Sequence, residues 1–197
     1  NPGRPIPPVA SAVHHILDQD VVDAPSISDA VEQFKGADYY IAHCAEFDQS
    51  FLEAAGLIGA KWICTWKVAL RLWPDLDSHS NQAIRYSLGL VKPFGIPRDQ
   101  IQPHSALSDV IVTAAIAQLM IVVTPWSDMV RWSEEPALHT KLSFGKHRGQ
   151  RYDQADQSYI DWIIDKSDLS ADVKFSAMYW RRLRAEGTQC HESAPTD

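Results

Sequence analysis

A chain of 197 residues with a formal charge of −7 and a pI near 5.5 can hold one domain with a full core plus a small appendage, and its net charge excludes a coating nucleic-acid binder. Its three cysteines, Cys44, Cys64 and Cys190, are odd in number and lack CxxC spacing, which argues against a disulfide framework or zinc site and fits a reducing cytoplasm. The most apolar window, Val110 to Val123, is short for a bilayer span, and with no signal peptide in view no membrane partner is expected.

The chain opens on Asn1-Pro-Gly-Arg-Pro-Ile-Pro-Pro8, whose prolines favour an extended strand end running into a loop. Asp29 to Lys35 has the spacing of a short helix. Tyr39 to Ala42 is β-prone and apolar, as a short buried strand should be. From Phe47 the period becomes helical, with Phe47, Phe51, Leu52 and Ala55 on one face and Gly56 as the stop. Asp48 therefore falls where a strand hands over to a helix, at the positive end of the helix dipole. Such a place suits an ionised carboxylate beside a metal or phosphate, and it equally suits a plain helix cap. Lys61 to Trp66 reads as a second strand. Lys67 to Trp73 follows as a helix closed by Pro74, and Asn81 to Leu88 as another ending at Gly89. Lys92 to Gln102 is a loop that delivers His104, and His104 to Asp109 opens the long apolar helix. The alternation fits an α/β layer fold.

Past Pro125 the composition shifts, and residues 126–140 read as a linker. Lys141, Lys146, Arg148 and Arg151 then gather around Gly145 and Gly149. Tyr159, Trp162 and Ile163 mark a helical face, and Val173 to Leu183 a last helix bearing Arg181, Arg182 and Arg184. Residues 186–197 read as a disordered tail. A basic unit over 141–185 suits the tracking of phosphates, while a solvated face beside a structural turn explains the same residues.

Ala42-His-Cys-Ala-Glu-Phe-Asp48 with Phe51-Leu52, and His104 with Asp109 five residues on, resemble the second and third exonuclease motifs of the DnaQ-type DEDDh 3′→5′ exonucleases, which have a ribonuclease H-like fold. Trp62-Ile-Cys-Thr65, Arg71-Leu-Trp-Pro74, Phe144 to Gly149 and Tyr159-Ile-Asp-Trp162 are similar, more narrowly, to its exodeoxyribonuclease X-like members. The likeness runs from about Pro5 to about Leu183. A His and an Asp at this spacing are common by chance, but joined to the Ala-His-x-Ala-x-Phe-Asp word in this order they are specific. The family's first motif, an Asp-x-Glu on its first strand, does not occur before residue 14, so the exonuclease domain over 1–125 is expected to be N-terminally incomplete here. The family usually has Asn where this chain has Cys44. A thiol cannot offer both a carbonyl and an amide, which would loosen this part of the site without removing metal ligands.

The resemblance implies a two-metal site for Mg²⁺, with Mn²⁺ as a substitute, that activates water and stabilises the leaving 3′ oxygen. Asp109 would ligate a metal directly, and Asp48 would be a second ligand, often through bound water. His104 would be the general base. His43, Cys44 and Phe47 beside Asp48, and Lys146, His147, Arg148 and Arg151 in the C-terminal module, would bind nucleic acid. The implied activity is 3′→5′ exodeoxyribonuclease action on single-stranded DNA or duplex 3′ ends, in repair or recombination, with a homodimer allowed. An RNA-trimming exonuclease is the nearest alternative, since no residue here distinguishes ribose from deoxyribose. A catalytically inactive adaptor that binds nucleic acid is the other.

Overall fold

The structure, a computed structural model, describes residues 1–102, 105–165 and 168–192 of the chain. It divides into two units, Asn1–Val68 with Ser78–Ser133, and Ala69–Asp77 with Glu134–Asp197.

In the first unit the proline-rich start is helical from Pro8, a correction to the extended reading. Helix α1 (Pro8–His14) has proline at its first position, where the fixed φ suits the helix and the absent N–H would have no partner. Helix α2 (Ile27–Val31) is capped by Ser26, whose hydroxyl accepts from the Asp29 N–H at 3.2 Å. The apolar run Tyr40–Ala42 then forms β1, and Trp62–Cys64 forms β2. The two pair in parallel, with Tyr40 opposite Trp62, Ile41 opposite Ile63 and Ala42 opposite Cys64. The Tyr40 and Trp62 rings lie 5.3 Å apart and add an aromatic contact to the first rung. Parallel neighbours need a crossover, and helix α3 (Ala45–Ala54) supplies it. Helix α4 (Thr65–Leu72) starts where β2 stops, and helix α5 (Asn81–Ser87) is capped by Ser80.

Helix α6 (Ala106–Val123) packs against α5, β1 and a tight turn at Pro93–Gly95. At 18 residues and a mean hydropathy of 2.1 it is longer than the window read from the sequence, and by length and composition alone it could cross a bilayer. Its fully buried Val112, Ile116 and Met120 give it the place of a core helix instead. The stretch expected as a linker, residues 126–140, contains the division between the units at Ser133 and Glu134 and begins as a helix. Helix α7 (Trp126–Glu134) buries Met129 completely, and the Ser133 hydroxyl accepts the Cys64 N–H at 2.8 Å, satisfying a β2 donor that has no strand partner.

The second unit closes around Leu142, Tyr152, Ala155, Ile160, Ile163 and Ala177, all buried, with Phe144, Tyr159 and Trp180 packed against them. A hairpin-like bridge pairs Lys141 with Arg151, and helices α8 (Gln157–Asp165) and α9 (Ala171–Glu192) complete the unit. The latter half of the expected linker is fixed by α9. The Asp172 carboxylate accepts from the Ala137 N–H, the Ser176 hydroxyl accepts from the His139 N–H, each at 2.8 Å, and Trp180 Nε1 donates to the His139 carbonyl at 2.7 Å. Helix α9 runs to Glu192, into the stretch expected as a tail, and residues 193–197 of that tail lie outside the described residues. Buried Arg71 joins Glu135 at 2.8 Å within the same unit.

Gly145 has a φ of +66°, and a Cβ there would lie 2.5 Å from the Tyr159 hydroxyl; Gly149, at +86°, has nothing within 4 Å. Gly149→Ala should therefore cost only the backbone strain of about 1–2 kcal/mol. Gly145→Ala adds a clash to that strain and should lower the thermal midpoint clearly further. Equal shifts in calorimetry would show that Tyr159 yields freely.

Candidate functional site

The C-terminal end of β1 is the centre of the site. Cys44 follows it at φ 60° and ψ 51°, a left-handed conformation that turns the chain from strand to α3 and that Asn or Gly adopts more readily than Cys. Just before it, His43 is locked by both ring nitrogens. Nε2 lies 2.9 Å from the His79 carbonyl and Nδ1 lies 3.0 Å from the Thr65 hydroxyl. A carbonyl only accepts, so Nε2 carries the proton, and in the neutral ring Nδ1 accepts from Thr65. Burial holds His43 below its ordinary value of 6.5, which favours this neutral form, while the His79 carbonyl and the Asp109 carboxylate pull the other way. With both ring nitrogens bonded within the protein, His43 braces the strand end.

His79 leads into the N-terminus of α5, and that helix grips Asp109. Asn81 Nδ2 donates to the Asp109 carbonyl at 3.0 Å and to the Thr113 hydroxyl at 3.1 Å. Gln82 Nε2 donates to the carboxylate, Asp109 Oδ1, at 3.3 Å. Gln82 cannot turn its amide round, because its Oε1 accepts from Arg85 Nη1 at 3.2 Å. Arg85 is fully buried and spends its other donors on the Leu90 and Val91 carbonyls, at 3.3 and 3.1 Å. A buried cation thus fixes an amide, which orients a half-exposed carboxylate on the first turn of α6. Sequence reasoning missed Asn81, Gln82 and Arg85. The signal was present as a Ser cap followed by polar residues on a short helix, but nothing local named their partner.

Asp48 occupies the first turn of α3 as expected, half-buried. Burial pushes its carboxyl above the ordinary range, partly offset by its own backbone N–H. Phe47 and Phe51 flank it in solvent, 67% and 55% exposed, with ring centroids 5.0 Å apart. Partial burial, and then the neighbouring Cys64, Asp48 and Glu46, push the Cys44 thiol up to about 11, so it stands as a neutral group. Among the described residues no three His, Cys, Asp or Glu side chains gather where one ion could be held. Asp48 and Asp109 alone do not make a complete divalent-metal site, since such ions take six or more oxygen ligands, from protein and water. His104 lies outside the described residues.

In the second unit the expected cationic segment divides. Lys146 and Arg148 are exposed and form no ion pair among the described residues. Arg151 is committed: it bonds Asp153 at 3.0 Å and Asp75 at 2.8 Å and lies over the Trp180 ring. Asp153 first, and then Asp75, hold its guanidinium above the ordinary range. Its charge is neutralised, so it is a staple of the fold and not a free phosphate contact. His147 likewise faces inward, with Nδ1 2.8 Å from Gln150 Oε1 and its ring 4.4 Å from that of Tyr159.

Residues 1–117 match the RNase_T family model, described as exonuclease. The chain is 32% identical over 187 residues to exodeoxyribonuclease 10 of Escherichia coli (strain K12), an alignment covering 91% of this chain and 81% of that protein. A DNA polymerase III subunit epsilon-like protein of Rhodobacter capsulatus is 32% identical over 123 residues, 58% of this chain and 16% of its own length. The solved structure of exonuclease X in complex with 5′ overhanging duplex DNA matches with a TM-score of 0.56 and 33% identity, over 66% of this chain and 76% of that one.

Two outcomes follow from the bracing network. Because burial keeps His43 neutral, the unfolded chain takes up its proton first as pH falls. The stability that neutral His43 contributes is therefore full above pH 6.5 and is lost as pH drops below it. Urea midpoints measured between about pH 7 and pH 5 should decline more in the native protein than in His43→Gln. Gln82→Leu leaves both Arg85 and Asp109 short of a partner and should cost about 1–3 kcal/mol in the same titration; a neutral effect would show that water replaces the amide.

Proposed function

The chain belongs to the RNase_T exonuclease family and has its ribonuclease H-like fold, and on that premise we propose that it is a metal-dependent exonuclease removing nucleotides from DNA 3′ ends, in the 3′→5′ direction. One observation carries this reading. Asp48 and Asp109, the carboxylates of the two motif-like stretches, both attend β1: Asp48 on the helix that leaves its end, Asp109 on the helix that packs against it. The relatives named for DNA favour deoxyribose over ribose. Repair or recombination is the setting that such end-trimming serves.

Mg²⁺ or Mn²⁺, when bound, would supply Lewis acidity to the phosphate and to the attacking water. Asp48 and Asp109 are part of the oxygen set such ions require, and further ligands complete it. Within the chain, Gln82 and Asn81 hold Asp109 in a single pose, so its carboxylate needs little reorganisation on binding. Phe47, exposed one residue before Asp48, offers a ring to the terminal base, and Cys44 lines the turn beneath. His104, a turn ahead of Asp109 in sequence, takes the proton of the attacking water on a ring nitrogen.

The test separates these roles in the native enzyme, using an oligonucleotide labelled at its 3′ end. Asp109→Asn should lose both turnover and Mn²⁺ binding by calorimetry. His104→Ala should still bind Mn²⁺ yet cleave about 10²–10⁴-fold more slowly, and lose the rising limb of the pH–rate profile through the histidine range. Turnover of His104→Ala within a few-fold of the native rate would remove the residue from the proton transfer. Release of internal fragments, or a preference for RNA, would overturn the assignment.

A further inference from the structure

The second unit carries a line of rings that the proposed reaction does not use. Tyr159 and Trp162 lie one turn apart on α8, with centroids 5.5 Å apart and planes 23° from parallel, and His147 stands 4.4 Å from Tyr159. Core packing accounts for Tyr159, which is packed against the Leu142–Ile160 cluster and abuts Gly145. It does not account for Trp162, a large ring left 43% exposed beside this stack. An aromatic ring held in place by a stacked neighbour while still facing water is a surface for another planar group.

The surrounding charge indicates which group. Lys146 Nζ lies 5.8 Å over the Tyr159 ring, and Lys146 and Arg148 are both exposed without an ion pair among the described residues. Of the acidic neighbours one is engaged and two stay exposed. Asp161 is held by Arg181 at 3.1 Å and by Gln157 at 2.9 Å, and Asp156 faces His147 at 3.8 Å; Asp165 stays exposed near the end of α8. Cations for a phosphate backbone beside an open ring for a base are the two components of single-strand binding. In a duplex the faces of the bases are stacked on one another, so only an unpaired nucleotide, or a terminal pair, has a face to offer.

We propose that Trp162, backed by Tyr159, with Lys146 and Arg148, forms a binding site for an unpaired nucleotide of single-stranded DNA, its base on the indole and its phosphates on the two cations. The proposal rests on DNA being the substrate class, and it adds a means of choosing an unpaired strand that the chemistry at Asp48 and Asp109 does not supply.

The experiment measures binding by the full chain in EDTA, where cleavage plays no part. Fluorescence anisotropy compares a labelled oligothymidylate of about ten nucleotides with an abasic phosphodiester strand of the same length. The native protein should bind the thymidine strand about 10-fold more tightly. With Phe47→Leu in every protein compared, which removes the other ring proposed to meet a base, Trp162→Leu should bind the two strands equally, with its affinity for the abasic strand unchanged, and Trp162→Phe should keep the preference. Lys146→Gln with Arg148→Gln should weaken both and lower the salt slope by about 1.4. Unfolding midpoints of the variants confirm that the unit is intact. Equal affinity for the two strands in Phe47→Leu, or a preference that survives when Trp162→Leu is added to it, overturns the site. A protein that fails to trim DNA ends yet prefers the thymidine strand loses its proposed function and keeps this site; a nuclease without the preference does the reverse.

Discussion

Pairing β1 with β2 in parallel forces both strands to finish at the same edge of the sheet, and the rest of the first unit is arranged by that constraint. Each strand must then lead directly into a helix, so α3 and α4 both begin at this edge. Helix N-termini carry unpaired N–H groups and partial positive charge, which is why a carboxylate at position 48 is tolerated there although burial disfavours its ionised form. His43 ties the same edge to α5 by reaching from the tip of β1 to Thr65 and His79. The sheet is small, but its polarity decides at which end the helices bearing the candidate side chains begin.

The charges are managed by distance from water. Arg85 is wholly buried with carbonyl and amide oxygens as its hydrogen-bond acceptors, an arrangement that spreads its charge over neutral dipoles and links it to Asp109 through Gln82. Lys67, nearly buried, meets the exposed Glu46 at 2.9 Å, and the solvent at the carboxylate end weakens that pair. In the second unit Arg151 draws Asp75 and Asp153 together, and the same compensation that makes it useful to the fold removes it from the cations open to phosphate. Among the described residues Lys146 and Arg148 form no ion pair while Arg151 does, so the cations open to phosphate in this unit are set by the fold and not by the net charge of −7.

Local signals carried a good part of this molecule. The change from strand to helical period between Tyr39 and Phe51 placed Asp48 at a helix start, and the apolar run before Val123 placed Asp109 on the first turn of α6, because each depends only on neighbours along the chain. The motif words, with their order and separation, determined the family and hence the ribonuclease H-like fold. What failed locally was decided by partners far away in sequence. Residues 126–134 have the composition of a linker and become a helix because Met129 finds a core and Ser133 finds the Cys64 N–H, 69 residues distant. His43 resembles a ligand until Thr65 and His79 occupy its nitrogens, and Arg151 resembles a phosphate contact until Asp75, 76 residues away, neutralises it. The sequence by itself determined the family and the elements on which candidate side chains such as Asp48 and Asp109 sit, since helix and strand periods are short-range properties. Only the tertiary structure decided which of them remain free to act, because a hydrogen-bonding group is spent by whatever partner the fold brings to it.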